Sequence, residues 1–440
     1  MASQENQENV RNVKSAWSRL KGFPDKCVDL VTTSAREAKN FGKEDPRRIV
    51  HSFKVGLAIT IVSLFYYFDF LYDGLGVSAM WAVITVVVVF EFSVGATFGR
   101  GINRAIATFI GGLLGVAAHR LASSTGNNAE PIVLGFSVFF ITSIATFIRL
   151  FPKMKERHDY GCMIFILTFC LISVSGYRDS EVIEMAHTRL STVMIGLSAT
   201  GLICIFICPV WAGEDLHNLT AANIEKLGIS LEAFQRKYFE TTRNDKNQEN
   251  KPPVDGYKVV ISSKSKEESL VNFARWEPRH GKFKYRHPWD QYIKIAGHTR
   301  ECAHRFYALY GYLHSEIPTP PIEISKKIEE LCTTMSLECS HALKELAIVI
   351  KKMTRSPNSE AHLKNAEIAA KNLKLLVQSG LWPESDPLDV IPAAAVALLL
   401  IEIVCSTVKI ADSVHRLSIL SKFKSVDPAR TPARFGVTVE

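Results

Sequence analysis

The sequence predicts an all-α protein in two parts: a membrane domain of six transmembrane helices per subunit, followed by a helical cytosolic domain. Three observations lead there. Six apolar segments, at about 51–71, 77–98, 103–122, 131–151, 159–177 and 184–210, each approach the roughly 20 residues an α-helix needs to cross hydrocarbon. Basic residues flank alternate links between these segments. Beyond about residue 211 the chain becomes charged and takes on heptad-like apolar spacing.

In chain order, residues 1–46 are polar and of mixed charge, and they lack the apolar core and small-residue cleavage site of a secretory signal. They are expected to be a cytosolic N-terminal segment. Residues 47–211 hold the six apolar segments, joined by links too short to give a soluble domain enough polar surface. Arg47 and Arg48 precede the first segment, Arg100 and Arg104 lie between the second and third, and Lys153, Lys155 and Arg157 lie between the fourth and fifth. The intervening links, "DFLYDGLG", "SSTGNNAE" and "SGYRDSEVIE", are neutral or acidic. The positive-inside bias therefore puts the N-terminus in the cytosol, and six crossings return residues 212–440 there. The sequon at Asn218 is accordingly expected to stay unglycosylated.

Within residues 212–440, helical patterns run from Pro321 to Met353, through "AHLKNAEIAAKNLKLLVQSG" to a stop at Gly380, and from about Pro387 to Lys422. The stretch "VIPAAAVALLLIEIV" is apolar enough to suggest a seventh span. Pro392 near its start and its amphipathic continuation assign it instead to the helical domain. Residues 241–270, polar and rich in breakers, are expected to form an exposed loop.

Of 440 residues, 52 are basic and 44 acidic, a net charge of +8 whose excess clusters around the apolar segments. This distribution fits a membrane protein or an anion handler. With no nucleic-acid-binding motif present, it excludes nucleic acid as a partner. The nine cysteines contain no CxxC pair and read as reduced and structural. No Walker A loop, dinucleotide fingerprint, HExxH or zinc-spaced Cys/His set is present, so no enzyme activity is expected.

Charges beside apolar runs carry the functional reading. An Arg or Lys at the bilayer centre costs about 2.5–3.5 kcal/mol on insertion scales, so it seeks an aqueous cavity, the protein interior or the interface. Lys54 near the start of the first segment, Arg104 at the opening of the third and Arg189 inside the sixth would together make a cavity attractive to anions. Snorkelling to the interface is the competing explanation for Lys54 and Arg104, and pairing with Glu181 or Glu184 for Arg189. Arg100 suits boundary anchoring better than pore lining. Glu91 suits pairing with one of these cations better than carrying a proton. Asp73, Asp179, Glu181 and Glu184 could share one outer face and hold a hard, oxygen-seeking cation, although solvated loop charges explain them more simply. Gly95/Gly99 and Gly111/Gly115 have the spacing that lets helix backbones approach closely.

The stretches "EDPRRIVHSFKVGLA", "WAVITVVVVFEFSVGATFGRGINR", "CPVWAGEDLH" and "FARWEPRHGKFKYRHPWDQY" resemble the plant aluminium-activated malate transporter family, over about Glu44 to Lys422. The resemblance implies a homodimeric anion channel in the lipid bilayer, passing malate and inorganic anions passively. Lys54, Arg104 and Arg189, with Arg100 less securely, match the pore-lining positions. It further implies Al3+ as an activating ligand in some members, through acidic residues corresponding here to Asp73 and Glu184; Ser180 stands where similar sequences can be acidic. No other cofactor is implied. Trp276, Glu277 and Pro278 match a signature of the cytosolic domain with a structural or gating role. The chain closes soon after "VDPARTPARFGVTVE", which predicts little tail-based phosphoregulation, and the modest N-terminal segment favours the plasma membrane over the vacuolar membrane. A proton-coupled organic-acid exporter, with Glu91 as proton carrier, and a non-transporting membrane scaffold are the alternatives.

Overall fold

The computed structural model describes residues 31–68, 76–126, 129–175, 182–239, 255–283, 287–314, 322–378 and 387–425. Its contacts divide the chain into two compact units, Met1–Val210 and Trp211–Glu440.

In the first unit, α1 (Arg47–Tyr67) is followed by a 3-10 turn (Gly76–Ala79), α2 (Met80–Val89), α3 (Val94–Ser123), α4 (Glu130–Arg149), α5 (Pro152–Ser175) and α6 (Val182–Phe206). The second and third segments depart from expectation. The break falls at 90–93, and the glycine-bearing "GRG" at 99–101 is helical, so Arg104 lies inside α3 and does not open it. A cap accounts for the shift. Extended backbone at Phe90 ends α2, Ser93 Oγ accepts from Ala96 N at 3.3 Å, and Val94 N donates to Val210 O at 2.9 Å. Thr97 Oγ1 also accepts from Glu91 N at 3.0 Å. The bonds from Val94 N and Ala96 N satisfy free N–H groups of the helix start, and a satisfied start outweighs glycine's weak helix propensity.

Ten residues of α2 extend only about 15 Å, so the segment 77–98 is not one continuous helix. Six helices among the described residues are long and apolar enough to cross a membrane: α1, α3, α4, α5 and α6, with Ala394–Leu420 in the second unit. The chain is a multi-pass membrane protein.

Close packing in this unit uses the small residues. A Cβ at Gly111 would stand 2.9 Å from Phe165 O, and one at Gly115 2.9 Å from Ile172 Cβ, which makes this glycine pair the seam between α3 and α5. Gly196 of α6 meets α2 in the same way, its virtual Cβ 2.7 Å from Ala82 O. On α4 only Leu134 and Ala145 are buried, while Phe136, Phe139, Phe140, Ile144 and Phe147 point outward, a face suited to lipid.

The second unit comprises α7 (Ala212–Phe239), α8 (Gly256–Ser262), α9 (Lys264–Ala274), α10 (Trp289–His314), α11 (Ile322–Lys352), α12 (Asn358–Gln378) and α13 (Pro387–Leu420). Thr354–Arg355 and Lys424–Ser425 form a two-residue parallel ladder, β1 and β2. The expected loop at 241–270 is corrected for its second half: α8 and α9 occupy it because Tyr257, Val260 and Val271 are apolar and buried in the unit's core. Helix α13 runs unbroken through Pro392, and Ala397, Leu400, Val404, Ile410, Val414 and Leu417 pack a helical stripe into that core. The carboxylate of Glu267, 1% exposed, is enclosed by Arg300, Asn223 Nδ2 at 2.9 Å and Ser263 Oγ at 2.9 Å. Cys302 and Cys339 are reduced thiols, which burial pushes up to about 12 and so keeps unreactive.

Candidate functional site

The buried face of α3 carries Arg104, Ala107, Thr108 and Gly111, at the spacing that lines up one side of a helix. That of α6 carries Arg189, Thr192, Val193, Gly196 and Thr200. Both arginines are therefore drawn inward among small and hydroxyl-bearing neighbours. Arg104 is 3% exposed; its Nη1 donates to Tyr160 Oη of α5 at 3.0 Å, and its Nε has no partner among the described residues. Arg189 is 4% exposed, and its guanidinium carbon lies 3.3 Å from the ring centroid of Trp81, at the start of α2. Its Nε and Nη1 have no hydrogen-bond partner among the described residues. The two guanidinium groups act on each other as like charges.

Lys54 of α1 is buried, and its Nζ donates to Cys208 O at 3.3 Å, in the turn after α6. No described carboxylate pairs with Lys54, Arg104 or Arg189. Arg100 is different: its half-exposed side chain forms an ion pair with Glu91 in the break between α2 and α3. The structure thus groups Arg104 with Arg189, and separates Arg100 from them through Glu91.

Of the acidic set, Asp73, Asp179 and Glu181 lie outside the described residues. Glu184 is exposed in the first turn of α6.

In the second unit, Trp276-Glu277-Pro278 follows α9. Glu277, its side chain 1% exposed, accepts at Oε1 from Ala212 N at 2.6 Å and at Oε2 from Gly213 N at 3.0 Å, closing the start of α7. The His280 ring lies flat on Trp211, centroids 3.9 Å apart and planes 5° apart. A Cβ at Gly213 would fall 2.4 Å from Trp289 Cη2, so only glycine fits there. Trp211-Ala212-Gly213 therefore folds against Glu277, His280 and Trp289 of the second motif. Within the Trp276-Glu277-Pro278 signature it is the buried carboxylate of Glu277 that makes the connecting bonds. The available signal was an acidic side chain beside a proline turn, with a helix start elsewhere that lacked its own Ser, Thr, Asp or Asn cap.

Residues of the same motif enclose Tyr292, a group that the sequence reading missed. His217 Nδ1 lies 2.9 Å and His287 Nε2 3.2 Å from Tyr292 Oη, with Phe283 and Trp289 packed around them. Burial pushes His217 down to about 4; burial, followed by the charges of His217 and His280, does the same to His287. Below the ordinary histidine pKa near 6.5 the unfolded chain binds protons that the folded one refuses. Stability is therefore complete above pH 6.5 and falls as pH drops toward 4, by up to about 1.4 kcal/mol per histidine per pH unit. The melting temperature of the full chain is expected to decline between pH 6.5 and 5, and the double variant His217→Gln/His287→Gln to lose most of that slope. Equal slopes would contradict the assignment.

The family model for aluminium activated malate transporter matches residues 39–386. Aluminum-activated malate transporter 2 of Arabidopsis thaliana is 49% identical over 401 residues, covering 90% of this chain and 80% of the relative. Aluminum-activated malate transporter 7 of the same plant is 47% identical, covering 90% and 84%. Aluminum-activated malate transporter 1 of Triticum aestivum is 41% identical, covering 90% and 87%. With its cations gathered inside a multi-pass helical unit and its sequence matched over most of its length, the chain belongs to the aluminium-activated malate transporter family.

Proposed function

We propose that this chain is a passive anion channel that passes malate and inorganic anions through the unit at residues 47–211, as a homodimer in the plasma membrane with both termini and residues 212–440 in the cytosol. One observation carries the reading: Arg104 and Arg189 are buried together and, among the described residues, leave guanidinium nitrogens unbonded and have no carboxylate to neutralise them. A buried cation without a counter-ion is costly, and a passing anion with its water supplies the missing partner. The names of the relatives support malate as a permeant ion. Glu91 bears on the exporter alternative: it is occupied by Arg100, which favours a channel over a device that needs a free proton carrier.

The test is whole-cell current in oocytes loaded with malate. A channel gives current that reverses at the anion equilibrium potential whatever the proton gradient. Flux that follows the proton gradient supports the exporter, and absence of both supports the scaffold. External Al3+ added and withdrawn reads the acidic set separately: a rise supports Asp73, Asp179, Glu181 and Glu184 as its site, and indifference discards the site while keeping the channel.

A further inference from the structure

The pair α11 and α12 carries a histidine–carboxylate cluster that the anion path does not use. Glu338 and His341 stand three residues apart on α11, a spacing that places both on one helix face. His362, in the second turn of α12, meets them there: its Nδ1 lies 2.7 Å from Glu338 Oε2, and the two imidazole rings are 5.2 Å apart. One donor atom from each of the three lies within 4.8 Å of the other two. Ala342 of α11 and Ala366 of α12, one and four residues along from His341 and His362, are small and fully buried.

We propose that Glu338, His341 and His362 form a binding site for a divalent transition metal of borderline softness, Zn2+ foremost, which ties α11 to α12. Two imidazoles and one carboxylate are a zinc donor set, with a fourth position open to water. Imidazole nitrogen does not suit a hard, oxygen-seeking ion such as Al3+, so this site is chemically distinct from the acidic set. Bonds of about 2.1 Å at tetrahedral angles put donor atoms about 3.4 Å apart. The cluster closes to that spacing by side-chain rotation alone, since His341 is exposed and its two partners are only partly covered. The metal replaces the hydrogen bond between His362 and Glu338.

The full chain, purified in detergent and stripped with chelator, is titrated with Zn2+ against a chromophoric competitor and separately with Co2+. One equivalent of Zn2+ is expected to bind, with affinity falling by more than the ~10–100-fold that loss of an outer-shell partner costs in the double variant His341→Ala/His362→Ala. Co2+ is expected to give the intense visible bands of a four-coordinate ion in the wild type only. Should the His362 change disturb helix packing, His341→Ala alters an exposed side chain and reads the same loss. Equal Zn2+ affinity in wild type and His341→Ala, or six-coordinate Co2+ in the wild type, overturns the site.

Discussion

Arg189→Ala is expected to lower malate-carried current roughly tenfold or more at unchanged surface expression, and to shift the reversal potential toward that of cations. The magnitude follows from Coulomb's law: a unit charge 4 Å from an anion, at an effective dielectric near 20, attracts it by about 4 kcal/mol. Losing a third of that is already about tenfold in occupancy. Arg189 has more to give than Arg104. Two of its buried nitrogens have no partner among the described residues, whereas Arg104 donates to Tyr160 through Nη1 and has one such buried nitrogen, Nε. Arg104→Ala is therefore expected to act in the same direction with a smaller effect. Arg189→Lys keeps the charge but loses the guanidinium's contact over the Trp81 ring, and should fall between wild type and Arg189→Ala. Folding should survive, because the change removes a buried cation that no described carboxylate neutralises. Unchanged current and selectivity in both alanine variants would remove the two arginines from the permeation path.

The membrane helices were legible because hydrocarbon imposes a length and a composition, and both can be read one segment at a time. The break at 90–93 was not, because it depends on a bond from Val94 N to Val210 O, made across more than a hundred residues of sequence. "GRG" carries the local signal of a link and lies inside a helix, and Ser93 carries the decisive one. The candidate cations were legible one by one, as charges placed where charges are costly. Their grouping was not: that Arg104 and Arg189 share a neighbourhood while Arg100 is taken by Glu91 follows from how α2, α3, α5 and α6 pack, and spacing along any one helix does not reveal it. The helices α8 and α9 were hidden by a polar composition that outweighed three apolar anchors, Tyr257, Val260 and Val271.

Glu277 shows the same limit in the second unit, and it gives the largest stability effect expected there. Its carboxylate accepts two backbone N–H groups, from Ala212 and Gly213, at the positive end of α7 while almost wholly excluded from water. Hydrogen bonds to an ionised acceptor at a helix N-terminus draw on both the charge and the helix dipole. Glu277→Ala leaves two buried donors without partners, at a cost of about 2–4 kcal/mol. For a unit of this size that corresponds to a melting temperature lower by about 5–15 °C. Glu277→Gln keeps the shape and one acceptor oxygen but turns an amide NH2 toward the second donor, so about half the loss is expected. Gly213 cannot relieve the defect by moving, since Trp289 already fills the space above it. The full chain in detergent, followed by helical circular dichroism on heating, measures all three proteins. If Glu277→Ala melts within a degree or two of the wild type, the start of α7 is held by the Trp211–His280 stack and not by this carboxylate, and the motif's anchor lies in its rings.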